Sequence, residues 1–309
     1  MSNLSVTIAG VEFANPVIAA SGTFGYGTEY GKIIDVSRLG GICSKGLTLE
    51  PRQGNTGIRL LETASGLINS IGLENPGIPH FVKHELKKML RLGPVIIANL
   101  SGSTIETYVE GAKLLARTRV PLIELNISCP NVKSGGMAWG LDPASAALVI
   151  SAVKNAAPEK PLIVKLSPNA PDPVAVAKTA VSAGADALSL VNTFQAFSVN
   201  IETGEPFFDN ITAGLSGPAI KPIALRILRD IVLGVPECAP GGPVPVIGLG
   251  GISTWQDAVE FIMTGASAVQ VGTATFARPH TMTDIIDGLS SFMDRKRYPD
   301  IPSMRGIAL

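Results

Sequence analysis

Short apolar, β-branched runs recur along the chain at Val17 to Ala20, Gly41 to Lys45, Val95 to Asn99, Ile123 to Ser128, Leu162 to Leu166, Ala187 to Asn192, Val244 to Leu249 and Ala268 to Gly272, eight in all. Between them lie stretches whose apolar residues repeat at three- and four-residue spacing: Ile78 to Leu92, Thr104 to Arg117, Asp142 to Ala156, Asp172 to Ala183, Pro218 to Leu233 and Thr254 to Thr264. That spacing puts one apolar stripe on a helix, whereas runs apolar throughout suit strands covered on both faces. Strand-helix alternation implies parallel strands joined by right-handed crossovers, and eight such units close into an α/β (β/α)8 barrel, the TIM-barrel fold. An open doubly wound sheet is the alternative. It would carry a glycine-rich turn after its first strand, and Ala20-Ser21-Gly22-Thr23-Phe24-Gly25 does not fit G-x-G-x-x-G.

Two connections, Leu47 to Gly77 and Phe194 to Gly217, far exceed the ~2–6 residues usual after a strand. Each reads as a hairpin insertion. Arg59 to Glu62 and Leu67 to Asn69 flank Ala64-Ser65-Gly66, and Ser198 to Ile201 and Pro206 to Phe208 flank Thr203-Gly204-Glu205. Both follow strands, so both are expected over the C-terminal face, where they can wall a site. Residues 1–309 are expected to form one barrel domain.

Of the 309 residues, 46% are hydrophobic and 16% charged, which supports a large core and argues against disorder. Lys plus Arg and Asp plus Glu balance at 25 each, so the chain lacks the basic footprint of a nucleic-acid binder or a membrane-surface protein. No apolar run approaches the ~18 residues of a spanning helix, and Met1 to Val11 alternates like a strand, unlike a signal peptide. A cytoplasmic protein is expected. The three cysteines, Cys43, Cys129 and Cys238, show no C-x-x-C spacing, so an iron-sulfur cluster is expected only on another chain. His80 and His84 lie four apart with no carboxylate motif around them and read as a solvated helix face; His280 belongs near the start of the last helix.

Candidate chemistry gathers at the strand ends. Ile42-Cys43-Ser44-Lys45-Gly46 and Ile163-Val164-Lys165-Leu166-Ser167 each set one lysine in an apolar strand, which is costly unless the ammonium meets an anion or a polarised oxygen. Asn69, Asn99, Asn126, Asn131 and Asn192 lie at or just past strand ends, and a neutral amide offers both a donor and an acceptor to the edge of a flavin or pyrimidine ring. Gly250-Gly251 after the seventh strand and Gly272-Thr273 after the eighth open helices, where backbone N–H groups bind phosphate. Cys129 follows the fourth strand and precedes Pro130 and the small-residue segment Lys133-Ser134-Gly135-Gly136-Met137-Ala138, which reads as a lid. Free cysteines are mostly packing residues, as Cys43 and Cys238 are expected to be; Cys129, at the site mouth, is the candidate base.

Long motifs carry a family resemblance from about Phe13 to Ala277: Ser44-Lys45-Gly46-Leu47, Asn69-Ser70-Ile71-Gly72-Leu73-Glu74-Asn75-Pro76-Gly77, Asn126-Ile127-Ser128-Cys129-Pro130-Asn131, Val164-Lys165-Leu166-Ser167-Pro168, Gly214-Leu215-Ser216-Gly217-Pro218 and Gly250-Gly251. The chain resembles the dihydroorotate dehydrogenases, specifically the soluble class 1 group that uses cysteine. The resemblance implies FMN, with Ser21, Lys45, Gly46, Asn99, Asn126, Lys165, Val191, Gly217, Gly250, Gly251, Gly272 and Thr273 lining it. It implies a dihydroorotate pocket of Lys45, Asn69, Ile71, Gly72, Leu73, Asn126, Asn131, Asn192 and Thr193. No metal is implied.

The catalytic residues implied are Cys129, which takes the C5 proton of dihydroorotate while hydride passes from C6 to the flavin, and Lys165, which stabilises charge on the reduced ring. A free thiol ionises near pH 8.5, so activity is expected to climb with alkalinity. Val132 to Gly140 looks like the NAD-linked class 1B type, whose catalytic chain forms a homodimer paired with an electron-transfer subunit carrying FAD and a 2Fe-2S cluster, a heterotetramer. A fumarate-using class 1A homodimer is the alternative. A non-redox phosphate-binding barrel lyase or isomerase would keep the glycine turns without the asparagine array, and a non-catalytic flavin-binding scaffold is a third reading.

Overall fold

The computed structural model describes residues 2–128 and 139–309. Cys129, Asn131 and the expected lid, residues 133–138, lie outside the described residues.

Eight parallel strands close a barrel in sequence order: β1 (Val17–Ala19), β2 (Gly41–Cys43), β3 (Val95–Leu100), β4 (Leu122–Asn126), β5 (Leu162–Lys165), β6 (Ala187–Leu190), β7 (Val246–Leu249) and β8 (Ala268–Val271). β8 pairs back onto β1 through Gln270 opposite Ile18. This is the α/β (β/α)8 barrel expected from the alternation. Nearly every strand residue is buried, as strands sandwiched between a filled interior and a helical coat must be. The first crossover carries short 3-10 turns, Tyr30–Lys32 and Val36–Arg38, where the other crossovers carry helices. Ile105–Ala116, Pro143–Ala156, Pro173–Ser182, Lys221–Gly234 and Trp255–Met263 lie within a few residues of their expected bounds, and Thr281–Lys296 ends the coat. Thr104, Asp142, Asp172 and Thr254 each accept a backbone N–H at their helix N-terminus, which fixes where those helices start.

The N-terminal segment forms a hairpin, Val6–Ile8 with Val11–Phe13. Buried Phe13 packs against Gly41 at the N-terminal end of β2, so the hairpin lies at the end away from the strand C-termini.

The insertions differ from the simple hairpins expected. The first pairs Leu60–Thr63 with Gly66–Asn69, as read from the sequence. In the second, the expected hairpin shrinks to Val199–Asn200 against Glu205–Pro206, and a longer ladder, Phe194–Phe197 against Thr212–Ser216, lies outside it. Thr212–Ser216 also pairs with Gly66–Asn69, with Leu215 opposite Ile68, so the two insertions form one four-stranded sheet. Ile68, Phe208 and Ala213 give it a small core separate from that of the barrel.

Candidate active site

A cleft opens where the strands end, enclosing about 1570 Å³ of empty space with its mouth included. One wall is the insertion sheet and its loop. Asn69, at the end of Gly66–Asn69, donates Nδ2–H to the Gly214 carbonyl at 3.1 Å. Ile71, Gly72 and Leu73 continue that wall, with Leu73 in the left-handed region at φ 58°, a conformation a non-glycine residue keeps only where its surroundings enforce it.

The opposite wall is built from the turns after the late strands. Gly217 follows the insertion sheet, Gly250 and Gly251 follow β7, and Gly272 and Thr273 follow β8; all border the cleft together with Ser21 and Val191. The Thr273 hydroxyl donates to Ser216 Oγ at 2.7 Å, tying this wall to the insertion sheet.

Between the walls stand the two strand-end lysines. Lys45, two residues beyond β2, is half-buried beside Gly46 and makes no ion pair with another described residue. Lys165, the last residue of β5, is 4% exposed and its Nζ lies 3.7 Å from Glu124 Oε1. Asn126 and Asn192 also border the cleft. The Ser128 hydroxyl donates to Asn126 Oδ1 at 2.8 Å and accepts from Asn192 Nδ2, so the residue before Cys129 is anchored on both amides. Asn192 Oδ1 in turn accepts the Thr193 N–H at 2.8 Å, and Thr193 borders the cleft.

Asn99 is set apart from the other expected cofactor contacts. It is fully buried and does not border the cleft; its Nδ2 donates to Glu124 at 2.6 Å and its Oδ1 accepts from Asn126. Apart from Cys129, Asn131 and Asn99, every site residue expected from the resemblance borders this one cleft.

Two site residues escaped the sequence reading. Glu124 in β4 is fully buried inside the barrel and accepts from Asn99, Ser189, Gln270 and the thiol of Cys43. Burial opposes its charge, but the Lys165 ammonium and the bonds from Gln270, Ser189 and Cys43 outweigh it and hold the carboxyl below the usual range, so it is ionised at neutral pH. Cys43 is pushed the other way, well above the ordinary thiol range, by burial and then by the Glu124 charge. It is therefore a protonated donor as well as a packing residue. Gln270 in β8 borders the cleft, and its Oε1, buried, accepts no hydrogen bond from a described residue. The signal for both was the one that revealed the lysines, a lone polar residue in an apolar strand: Leu122-Ile123-Glu124-Leu125 and Ala268-Val269-Gln270-Val271.

The remaining candidates lie elsewhere. His80 and His84 are exposed on a helical face with ring centroids 4.5 Å apart, and His280 immediately precedes Thr281–Lys296 without a side-chain bond to that helix start. Cys238 is buried, its thiol pushed up to about 12 by burial and the Glu237 charge. No helix among the described residues is long and apolar enough to cross a membrane.

A parallel barrel with cations, amides and glycine turns converging on one cleft at its C-terminal mouth is the arrangement of a barrel enzyme, with a cleft whose chemistry suits a polar, anionic ligand. The chain belongs to the dihydroorotate dehydrogenase family, whose profile it matches over residues 3–293. Membership makes it a flavin-dependent oxidoreductase. Three similar proteins are each called dihydroorotate dehydrogenase B (NAD(+)), catalytic subunit. That of Petrotoga mobilis is 50% identical over 99% of this chain and 100% of its own length. Those of Caldicellulosiruptor saccharolyticus and Parabacteroides distasonis are 48% and 47% identical, over 98% and 99% of this chain and 98% of theirs.

Proposed function

We propose that this chain oxidises (S)-dihydroorotate to orotate in de novo pyrimidine biosynthesis, with FMN in the cleft and Cys129 as base. Electrons then pass to NAD through a partner subunit carrying FAD and a 2Fe-2S cluster, two copies of each chain making the assembly. The observation that carries the reading is the convergence of Lys45, Lys165, Asn126 and Asn192 on one cleft, facing the glycine turns of the last strands.

The chemistry of the cleft fits a flavin. Val191, Leu249 and Ile252 offer an apolar wall to a ring system. Gln270 Oε1 is a buried acceptor without a described donor, and an imide N–H is the partner it lacks. The turns at Gly217, Gly250, Gly251 and Gly272 would hold the phosphate, Lys45 and Lys165 would meet the polar ring edge, and bound FMN supplies the hydride acceptor.

The remaining work falls to side chains. Asn69, Asn126, Asn192 and Thr193, bordered by Ile71, Gly72 and Leu73, would hold the amide and carboxylate groups of dihydroorotate, with Asn131 as the family resemblance implies. Ser128, anchored on two asparagines, fixes the backbone leading into Cys129, which takes the C5 proton. The 1B subtype is supported by the names of near-full-length relatives.

The test is anaerobic reduction of the bound flavin by dihydroorotate. Cys129→Ala is expected to keep its flavin while bleaching slows at least ~100-fold, the usual contribution of a general base. Bleaching at the wild-type rate in a stopped-flow instrument would remove Cys129 from the mechanism, and a wild-type chain whose flavin dihydroorotate cannot bleach would overturn the activity.

A further inference from the structure

Glu124 is an acid where a barrel interior ordinarily places branched aliphatics. It is 0% exposed, and both carboxylate oxygens are engaged. Oε1 accepts from Asn99 Nδ2 at 2.6 Å and from Cys43 Sγ at 3.3 Å, and it is the oxygen facing Lys165 Nζ. Oε2 accepts from Gln270 Nε2 at 2.7 Å and Ser189 Oγ at 2.9 Å. These partners come from β2, β3, β5, β6 and β8, so a single carboxylate ties five of the other strands together. A buried ionic group of this kind is weak evidence for stability, since well-packed apolar residues of similar volume do as well or better. Its presence calls for another reason.

That reason lies in what the partners touch. Glu124 itself does not border the cleft, but Lys165 and Gln270 do, and Asn99 reaches the cleft through Asn126. At 3.7 Å the Lys165 ammonium is paired in charge yet beyond hydrogen-bond reach of the carboxylate, so its three donors stay available to a ligand.

We propose that Glu124 is a positioning residue that holds Lys165 and Gln270 at the floor of the cleft and offsets the lysine's charge, so that the pair, and not the lysine alone, sets the field on the bound ring. The proposal rests on the flavin reading above. It does not depend on Cys129.

The test is the midpoint potential of the bound flavin in the loaded chain, measured for wild type, Glu124→Gln, Lys165→Met and the double variant. Glu124→Gln leaves the lysine charge without its counterion, which favours added electrons on the ring. The reduced-to-oxidised ratio at fixed potential is expected to rise about tenfold, equivalent to about 30 mV for a two-electron couple. In the Lys165→Met background the same substitution is expected to change the ratio less than twofold, because a buried carboxyl that has lost its cation takes up a proton and leaves no charge for the substitution to remove. A lowered melting temperature with an unchanged potential makes Glu124 merely structural and overturns the proposal. An equal shift in both backgrounds also overturns it, since Glu124 would then keep its charge without the lysine and the two would not act as a pair. Should Glu124→Gln fail to take up flavin, Glu124→Asp keeps the charge but draws it back, and a smaller shift of the same sign is expected; no shift there overturns the proposal. A wild-type chain that binds no flavin overturns the proposed function as well.

Discussion

Gly251 sits at φ 78°, and a Cβ there would lie 2.8 Å from the backbone nitrogen of Lys221 and 2.9 Å from the Gly217 carbonyl oxygen. Neither atom is the end of a flexible side chain, so Gly251→Ala must shift the turn that borders the cleft. It is expected to lower stability by about 2 kcal/mol and to release flavin, read as a lower melting temperature and a reduced flavin-to-protein ratio. An alanine variant that melts like wild type and keeps its flavin would show that the turn does not need this backbone. At the same scale, Lys45 and Lys165 were legible because a cation in an apolar strand needs an anion or a polarised oxygen beside it. The glycine turns were legible because Gly250-Gly251 and Gly272, after the last two barrel strands, let a phosphate approach the backbone. Glu124 and Gln270 obey the same logic but went unread, and Asn99 was legible as a site residue yet stands one bond behind the cleft. Side-chain direction inside a closed barrel depends on which strands face one another, and one strand's sequence does not state that.

Asp257 shows how a single helix start can secure a wall of the site. Its Oδ2 accepts the backbone N–H groups of Ser253 and Thr254 at 2.9 Å, and Oδ1 accepts from Lys221 Nζ at 2.7 Å. Burial raises its pKa, but the Lys221 bond and the backbone donors outweigh that and hold the carboxyl below the usual aspartate range. A depressed folded-state pKa contributes stability that is present above the unfolded value, about 3.9, and lost as pH falls through the folded value. Asp257→Asn is therefore expected to cost about 2 kcal/mol at neutral pH. The gap from wild type should narrow in melts taken as pH falls below the unfolded value, about 3.9, and close once pH lies below the folded one; a gap independent of pH would mean the charge contributes nothing. Helices with such caps lay close to where their periodicity put them. The sheet made from both insertions did not emerge, because Leu215 pairs with Ile68 and nothing local announces a partner so distant in sequence.

The whole chain aligns nearly end to end with catalytic subunits of NAD-linked enzymes, so its electron route is a question about assembly. Purification from the native host is expected to bring down a second chain containing FAD and iron, and the complex should reduce NAD with dihydroorotate. An isolated chain that reduces fumarate and ignores NAD would assign it to the homodimeric class. The barrel was readable at this scale because strand-helix repeats close in only a few ways. The joined insertions have a temporal consequence. Gly66–Asn69 leaves the ribosome roughly 150 residues before Thr212–Ser216, an interval of order ten seconds at ordinary synthesis rates. Through that interval its outer edge has no strand to pair with, and the strand that finally covers it runs directly into the Gly217 turn. The nascent chain thus joins the insertion wall of its cleft to the Gly217 turn in the same step that caps an open sheet edge, and the turns after β7 and β8 close the cleft later.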